Sequence, residues 1–161
     1  MKLVELCMKL NEHKVSYAIV GGHAVALHGA IRGTVDFDFI IKWTKANLLR
    51  AERALNDLGL VPRQPITAED LFSYKDEYER NKNLKAWNFV NLKNPLEQVD
   101  LVIIWDLAGM KAETIKIQGI SIRILSIDDL IRTKEGTGRQ QDIEDVKALT
   151  RISHQNLLKN G

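Results

Sequence analysis

The chain has 161 residues, 45% hydrophobic and 27% charged, with a net charge of +2. One domain is expected over residues 1–161, long enough to bury a sizeable core, and the composition is that of an ordinary soluble globular protein. The small net charge does not announce nucleic-acid binding, and a single cysteine, Cys7, rules out an internal disulfide.

Leu3, Leu6, Cys7 and Leu10 recur at helical spacing, so residues 2–13 are predicted as an amphipathic N-terminal helix. Val15 to Val20 reads as a short buried strand closed by Gly21-Gly22. His23 to Ala30 follows as a short helix with Ala24, Leu27 and Ile31 on one side. Val35 to Ile41 is the second strand. Thr44 is a plausible N-cap for a helix with Leu48, Ala51, Leu55 and Leu58 as its stripe and Gly59 as its stop. Pro62 and Pro65 forbid a continuous helix over 61–82, where a short helix or a mobile loop is expected.

Lys85–Leu92 and Gln98–Trp105 read as strands joined by an Asn94-Pro95 turn. Thr114–Ile117 and Ile120–Leu125 form a second pair across Gln118-Gly119. A helix starts at Ser126, with Asp129 at the third position of a capping box. Gly136 and Gly138 interrupt it, and a last helix runs from Gln140. The expected fold is α+β (mixed α/β): a mixed sheet of four to six strands flanked by helices, with an N-terminal helix within 1–14 and a helical C-terminus over 126–158. No apolar run is long enough to cross a bilayer. Glu5, Lys9 and Glu12 break the N-terminal stretch that a signal peptide needs. A cytoplasmic location with no membrane partner is expected. Lys45, Arg50, Arg53 and Arg63 read as a solvated face.

Alternate strand residues point to opposite faces, so Asp36 and Asp38 are expected on one face with Val35, Phe37 and Phe39 on the core face. Carboxylates this close repel and raise each other's pKa unless a cation intervenes. Magnesium takes one or two carboxylates and fills its shell from water and phosphate. Asp100 is a third acid, set in the apolar strand EQVDLVIIW, where an unpaired charge is costly. Gly21-Gly22 stands at a strand-to-helix junction, where backbone N–H groups hold phosphate oxygens or glycine serves a tight turn. It is neither a Walker A motif nor G-x-G-x-x-G.

Arg32, two residues before Thr34, is expected to bind phosphate or to pair with Asp36 or Asp38. Lys134 is expected to meet a triphosphate or to face solvent near a helix C-terminus. Asp142 and Asp145 sit in the first turns of the last helix, where the dipole favours acids; Asp145 is read as only that, and Asp142 stays open. His23 and His28 lack an evident carboxylate or nucleophile partner. Trp43, Trp87 and Trp105 read as core or edge residues, one of which could stack on a base.

The apolar strand Tyr17 to Val20, Gly21-Gly22, a short helix, R-x-T-x-D-x-D from Arg32 to Asp38, and Asp100 on a later strand together resemble the nucleotidyltransferase superfamily related to DNA polymerase β. The R-x-T-x-D-x-D form is similar to small prokaryotic members, which include the abortive-infection type toxins. S-I-D-D-L, Lys134, Arg139 and Asp142 extend the resemblance. It implies that Asp36, Asp38 and Asp100 hold one or two Mg²⁺ ions and that Gly21, Gly22, Arg32, Thr34 and Lys134 bind a nucleoside triphosphate. A nucleotide would then pass to a hydroxyl on RNA, protein or a small molecule, with pyrophosphate released. It also implies an antitoxin partner, if the chain acts as a toxin. The alternatives are a non-catalytic nucleotide- or partner-binding module and an antibiotic nucleotidyltransferase of the aminoglycoside or lincosamide type.

Overall fold

The computed structural model describes residues 1–160. In chain order it contains α1 (Leu3–Glu12), β1 (Tyr17–Val20), α2 (Gly21–Leu27), β2 (Phe37–Ile41), α3 (Lys45–Asp57), β3 (Leu60–Pro62), α4 (Ala68–Ser73) and α5 (Lys75–Arg80). These are followed by β4 (Ala86–Asn91), β5 (Asn94–Val102), β6 (Ala112–Ile117), β7 (Ile120–Leu125), α6 (Ile127–Lys134) and α7 (Gln140–Asn160). The strands form one mixed sheet of seven, in the order β3-β4-β5-β2-β1-β7-β6. That exceeds the expected four to six. The extra edge strand is β3, a three-residue segment ending at Pro62, too short to show a period of two.

Pairing is parallel for β2 with β5 and for β1 with β7, and antiparallel elsewhere. The register sorts the side chains into faces. Tyr17, Ile19, Phe37, Phe39, Ile41, Val99, Leu101, Trp87 and Phe89 share one face and are all buried. Leu6 and Leu10 of α1 and Leu48, Ala51 and Leu55 of α3 belong to the same core. Burying such side chains stabilises by roughly 1.5–3 kcal/mol each, before entropy is counted. The opposite face carries the rows that build the site.

Asn47, buried in the first turn of α3, ties that helix to the sheet. Its Oδ1 accepts from Ser16 N at 2.8 Å, and its Nδ2 donates to Lys42 O at 2.8 Å and Ser16 O at 3.0 Å. Thr44 caps α3 as expected, accepting from Asn47 N at 3.1 Å.

Several boundaries differ from expectation. The β4–β5 turn is Leu92-Lys93, with Asn91 facing Asn94 and Lys93 N donating to Asn91 Oδ1 at 2.9 Å; Pro95 therefore lies inside β5, and β5 ends at Val102 rather than Trp105. Residues 61–82 hold β3, α4 and α5, with Thr67 capping α4. Gly21-Gly22 opens α2 instead of preceding it. Asp129 accepts from Lys111 N at 2.7 Å, so its carboxylate caps a neighbouring strand instead of completing a capping box on Ser126. Of the basic residues of 45–63, Lys45, Arg53 and Arg63 are exposed, as a solvated face requires, Arg50 is half-buried, and Lys45 pairs with Glu69.

Candidate active site

One row of the sheet defines the site. Val20 of β1 faces Asp38 of β2, Asp38 faces Asp100 of β5, and Asp100 faces Asn88 of β4. Neighbouring strands run about 4.8 Å apart, so the register itself sets Asp38 and Asp100 side by side. Asn88 Nδ2 donates to Asp100 Oδ1 at 2.7 Å and fixes that carboxylate. Burial, then the charges of Asp100 and Asp36, push the Asp38 carboxyl up to about 6. Burial also raises Asp100; the Asn88 bond opposes that rise and the Asp36 charge adds to it.

Asp36 does not lie on the strand. β2 begins at Phe37, which pairs with Val99 of β5, and Asp36 pairs with neither neighbouring strand. Asp36 therefore sits exposed at a bend, and Val35, expected in the core, is 76% exposed. Ile31 is exposed as well, since α2 stops at Leu27. Asp36 still acts electrostatically on both strand acids. Among the described residues, no three acidic, histidine or cysteine side chains stand at metal-ligating spacing.

The diglycine has a steric reason at each position. Gly21 has φ +67°, and a Cβ there would lie 2.2 Å from Asp38 Oδ2. A Cβ on Gly22 would lie 2.7 Å from Thr34 Cβ. The turn thus lets the backbone of α2 press directly on the acid and on the Arg32–Asp36 loop.

Lys134 is the largest departure from the sequence reading. It does not face solvent: it is buried, and its Nζ donates to Asp145 Oδ2 at 2.9 Å and Asp142 Oδ1 at 3.4 Å. Asp145 also accepts from Arg32 Nε at 3.1 Å and Gln141 Nε2 at 3.1 Å. Arg32 pairs with Asp145, not with Asp36 or Asp38. Asp142 accepts from Thr137 Oγ1 at 2.7 Å and Arg139 Nε at 2.8 Å. Burial opposes ionisation of both acids, but the Lys134 ammonium and these hydrogen bonds outweigh it and hold both carboxyls below the usual range. Asp145 is therefore a buried junction between α7, α6 and the Arg32 loop, not merely an acid placed by a helix dipole. A lysine at the end of α6 followed by two acids three residues apart is the sequence signal for it.

His23 stacks on Phe37 with ring centroids 4.7 Å apart; burial, then Arg32, lower its pKa. His28 Nε2 meets Leu125 O at 2.8 Å, so that ring anchors α2 to β7.

Two adjoining lobes open on this row. Both touch Gly21, Asp38, Lys134, Arg139 and Asp142. One, of about 220 Å³, continues to Gly22, Arg32, Thr34, Asp36 and Gln141. The other, of about 250 Å³, continues over Ile40 and Val102 to Trp105. Of the residues expected to bind nucleotide, Gly21, Gly22, Arg32, Thr34 and Lys134 all line the first lobe, and Asp100 lines neither.

A mixed sheet with a glycine turn pressed on a strand carboxylate, and a second acid in register beside it, places the chain among nucleotidyltransferase-like folds. Solved structures agree. An antigenic nucleotidyltransferase-like protein from Paracoccidioides brasiliensis is 19% identical with a TM-score of 0.52, covering 93% of this chain and 74% of that one. The antibiotic-resistance factor ANT(2'')-Ia in solution is 14% identical with a TM-score of 0.57, covering 91% and 81%. The crystal structure of ANT(2'')-Ia with adenylyl-2''-tobramycin gives 14%, 0.56, 90% and 83%. At these identities the likeness is one of fold. The chain belongs to the family described as Nucleotidyltransferase of unknown function (DUF6036), whose model matches residues 1–158. A search of curated proteins found no matching relative. Among the described residues no helix is long and apolar enough to cross a membrane.

Proposed function

We propose that the chain transfers a nucleotide from a nucleoside triphosphate to a hydroxyl acceptor in a divalent-metal-dependent reaction that releases pyrophosphate. The observation that carries this reading is the in-register pair Asp38–Asp100 beneath the diglycine turn. The donor set fits a hard cation such as Mg²⁺: two neighbouring carboxylates, with Asp36 acting on both, and room for water and phosphate to complete the shell. Asp38 and Asp100 would hold it, joined by Asp36 once the exposed bend brings that carboxylate to ligating distance. When bound, such an ion neutralises the acids and draws charge from the phosphoryl oxygens.

The chain's own groups do the rest. Gly21, Gly22, Arg32, Thr34 and Lys134 steady the triphosphate by backbone N–H groups, a hydroxyl and two cations. Lys134 has spent two of its three N–H donors on Asp142 and Asp145, so it acts mainly as a fixed positive charge. Asp100, made more basic by burial and oriented by Asn88, takes the proton of the acceptor hydroxyl. The acceptor oxygen bonds to the α-phosphorus, the bond from that phosphorus to the bridging oxygen breaks, and pyrophosphate departs with the electron pair.

The test is pyrophosphate release from each of the four triphosphates with Mg²⁺, against a panel of RNA ends, protein and aminoglycoside acceptors. Release is expected in the wild type and lost in Asp38→Asn and Asp100→Asn. Binding of nucleotide with no release for any acceptor would instead favour a non-catalytic nucleotide-binding module.

A further inference from the structure

Building on the reading that this site takes a nucleoside triphosphate, we infer that Trp105 is the stacking platform for its base. The two lobes divide the nucleotide between them. The lobe through Gly22, Arg32, Thr34 and Gln141 offers N–H groups, a hydroxyl, an amide and a guanidinium beside the carboxylates of Asp36 and Asp38, which is chemistry for a polyanion that arrives with its divalent cation. The other follows the next row of the same sheet face, where Ala18, Ile40, Val102 and Ala86 stand in register. That row is two residues along the strand from Asp38, about 6.7 Å. The lobe ends at Ile104 and Trp105, with Lys85 on its border.

The α-phosphorus belongs where the lobes meet, because Asp38 lines both. Its two departing arms are the pyrophosphate and the nucleoside. The anionic arm takes the polar lobe and leaves the apolar, aromatic one to the nucleoside. Trp105 is the one tryptophan that lines either lobe: Trp87 is buried on the far face, and Trp43 borders neither lobe. Trp105 is also held in place. It is half-buried against the core, and the Arg132 guanidinium sits 5.6 Å from its ring centroid, itself fixed by Asp129 at 2.9 Å. A ring immobilised before binding loses little entropy when a base stacks on it.

The experiment compares ATP with inorganic tripolyphosphate on the whole chain in Mg²⁺, by calorimetry and tryptophan emission. Trp105→Ala should weaken ATP by about five- to 150-fold, the usual yield of one base–aromatic stack, and leave tripolyphosphate within about twofold. Trp105→Phe should restore most of the loss. ATP, but not tripolyphosphate, should quench wild-type emission. Unchanged ATP affinity in Trp105→Ala overturns the inference, as does an equal loss of both ligands in a natively folded variant. If the alanine variant does not fold, Trp105→Leu against Trp105→Phe makes the same comparison, and equal ATP affinities overturn it. Failure of the wild type to bind either ligand would remove the nucleotide reading itself, a result separable from the loss of Trp105's role.

Discussion

Replacing Gly21 by alanine adds one methyl group where α2 meets Asp38. The backbone there has φ +67°, a conformation that costs an L-residue with a Cβ about 1–2 kcal/mol. For a domain of this size that lowers Tm by roughly 2–8 °C. The methyl would also lie 2.2 Å from Asp38 Oδ2, closer than real contacts allow, so the carboxylate must move. A displacement on the order of 1 Å at a reacting group costs about a hundredfold in rate. Gly29→Ala is the matched control: its φ is +116°, but nothing stands within 4 Å of the added atom. Both variants should lose stability in thermal melts, and only Gly21→Ala should lose Mg²⁺-dependent nucleotide binding and pyrophosphate release. A folded Gly21→Ala protein with wild-type binding and turnover would refute the reasoning that the diglycine exists to seat Asp38.

Asp38→Asn should stabilise the metal-free protein at pH 8. Because the native state raises this carboxyl from 3.8 to about 6, it retains a proton that the unfolded chain has released, and stability falls by roughly 3 kcal/mol as pH rises through that window. Melts in chelator should therefore show the variant above wild type at pH 8 and level with it near pH 4; parallel curves would contradict the strain assigned to Asp38. Saturating Mg²⁺ should raise the wild-type Tm by binding the native state alone, and the rise should vanish in the Asp38→Asn, Asp100→Asn double variant. Asp145→Ala takes from Lys134 and Arg32 their shared partner while Lys134 keeps Asp142, at a cost of about 1.5–3 kcal/mol in urea unfolding at neutral pH. Since the fold depresses the Asp145 carboxyl, the wild type's advantage should shrink as pH drops through its native-state pKa. Asn88→Ala removes the bond that favours the Asp100 carboxylate, so the acid limb of the pH–rate profile should move to higher pH; an unmoved limb would deny Asp100 its role as base.

Local order was legible in the residues. Helical spacing from Leu3 to Leu10, the Thr44 cap, the Gln118-Gly119 turn and the Ser126 start all appear in the structure near the expected positions. The acids and the diglycine were legible as types in a pattern, since a carboxylate within an apolar strand is conspicuous whatever surrounds it. Boundaries failed where pairing decides them. Val35 and Asp36 alternate like strand residues, yet neither pairs with β1 or β5 and the strand begins at Phe37. Pro95 looked like a turn residue, but the Leu92-Lys93 turn with its Asn91 side-chain bond closes the hairpin earlier.

The sequence by itself determined most of the element types, the glycine turn and the placing of Asp38 and Asp100 inside apolar strands, because these follow from the period of the chain and the conformational limits of single residues. Only the tertiary structure decided that Val20, Asp38, Asp100 and Asn88 form one row, that Lys134 is buried between Asp142 and Asp145, and that Trp105 ends the same cleft. Those facts depend on sheet register and on ion pairs between residues far apart in the chain. Side-chain alternation assigns a face within each strand, but it carries no information about which residue of another strand stands opposite.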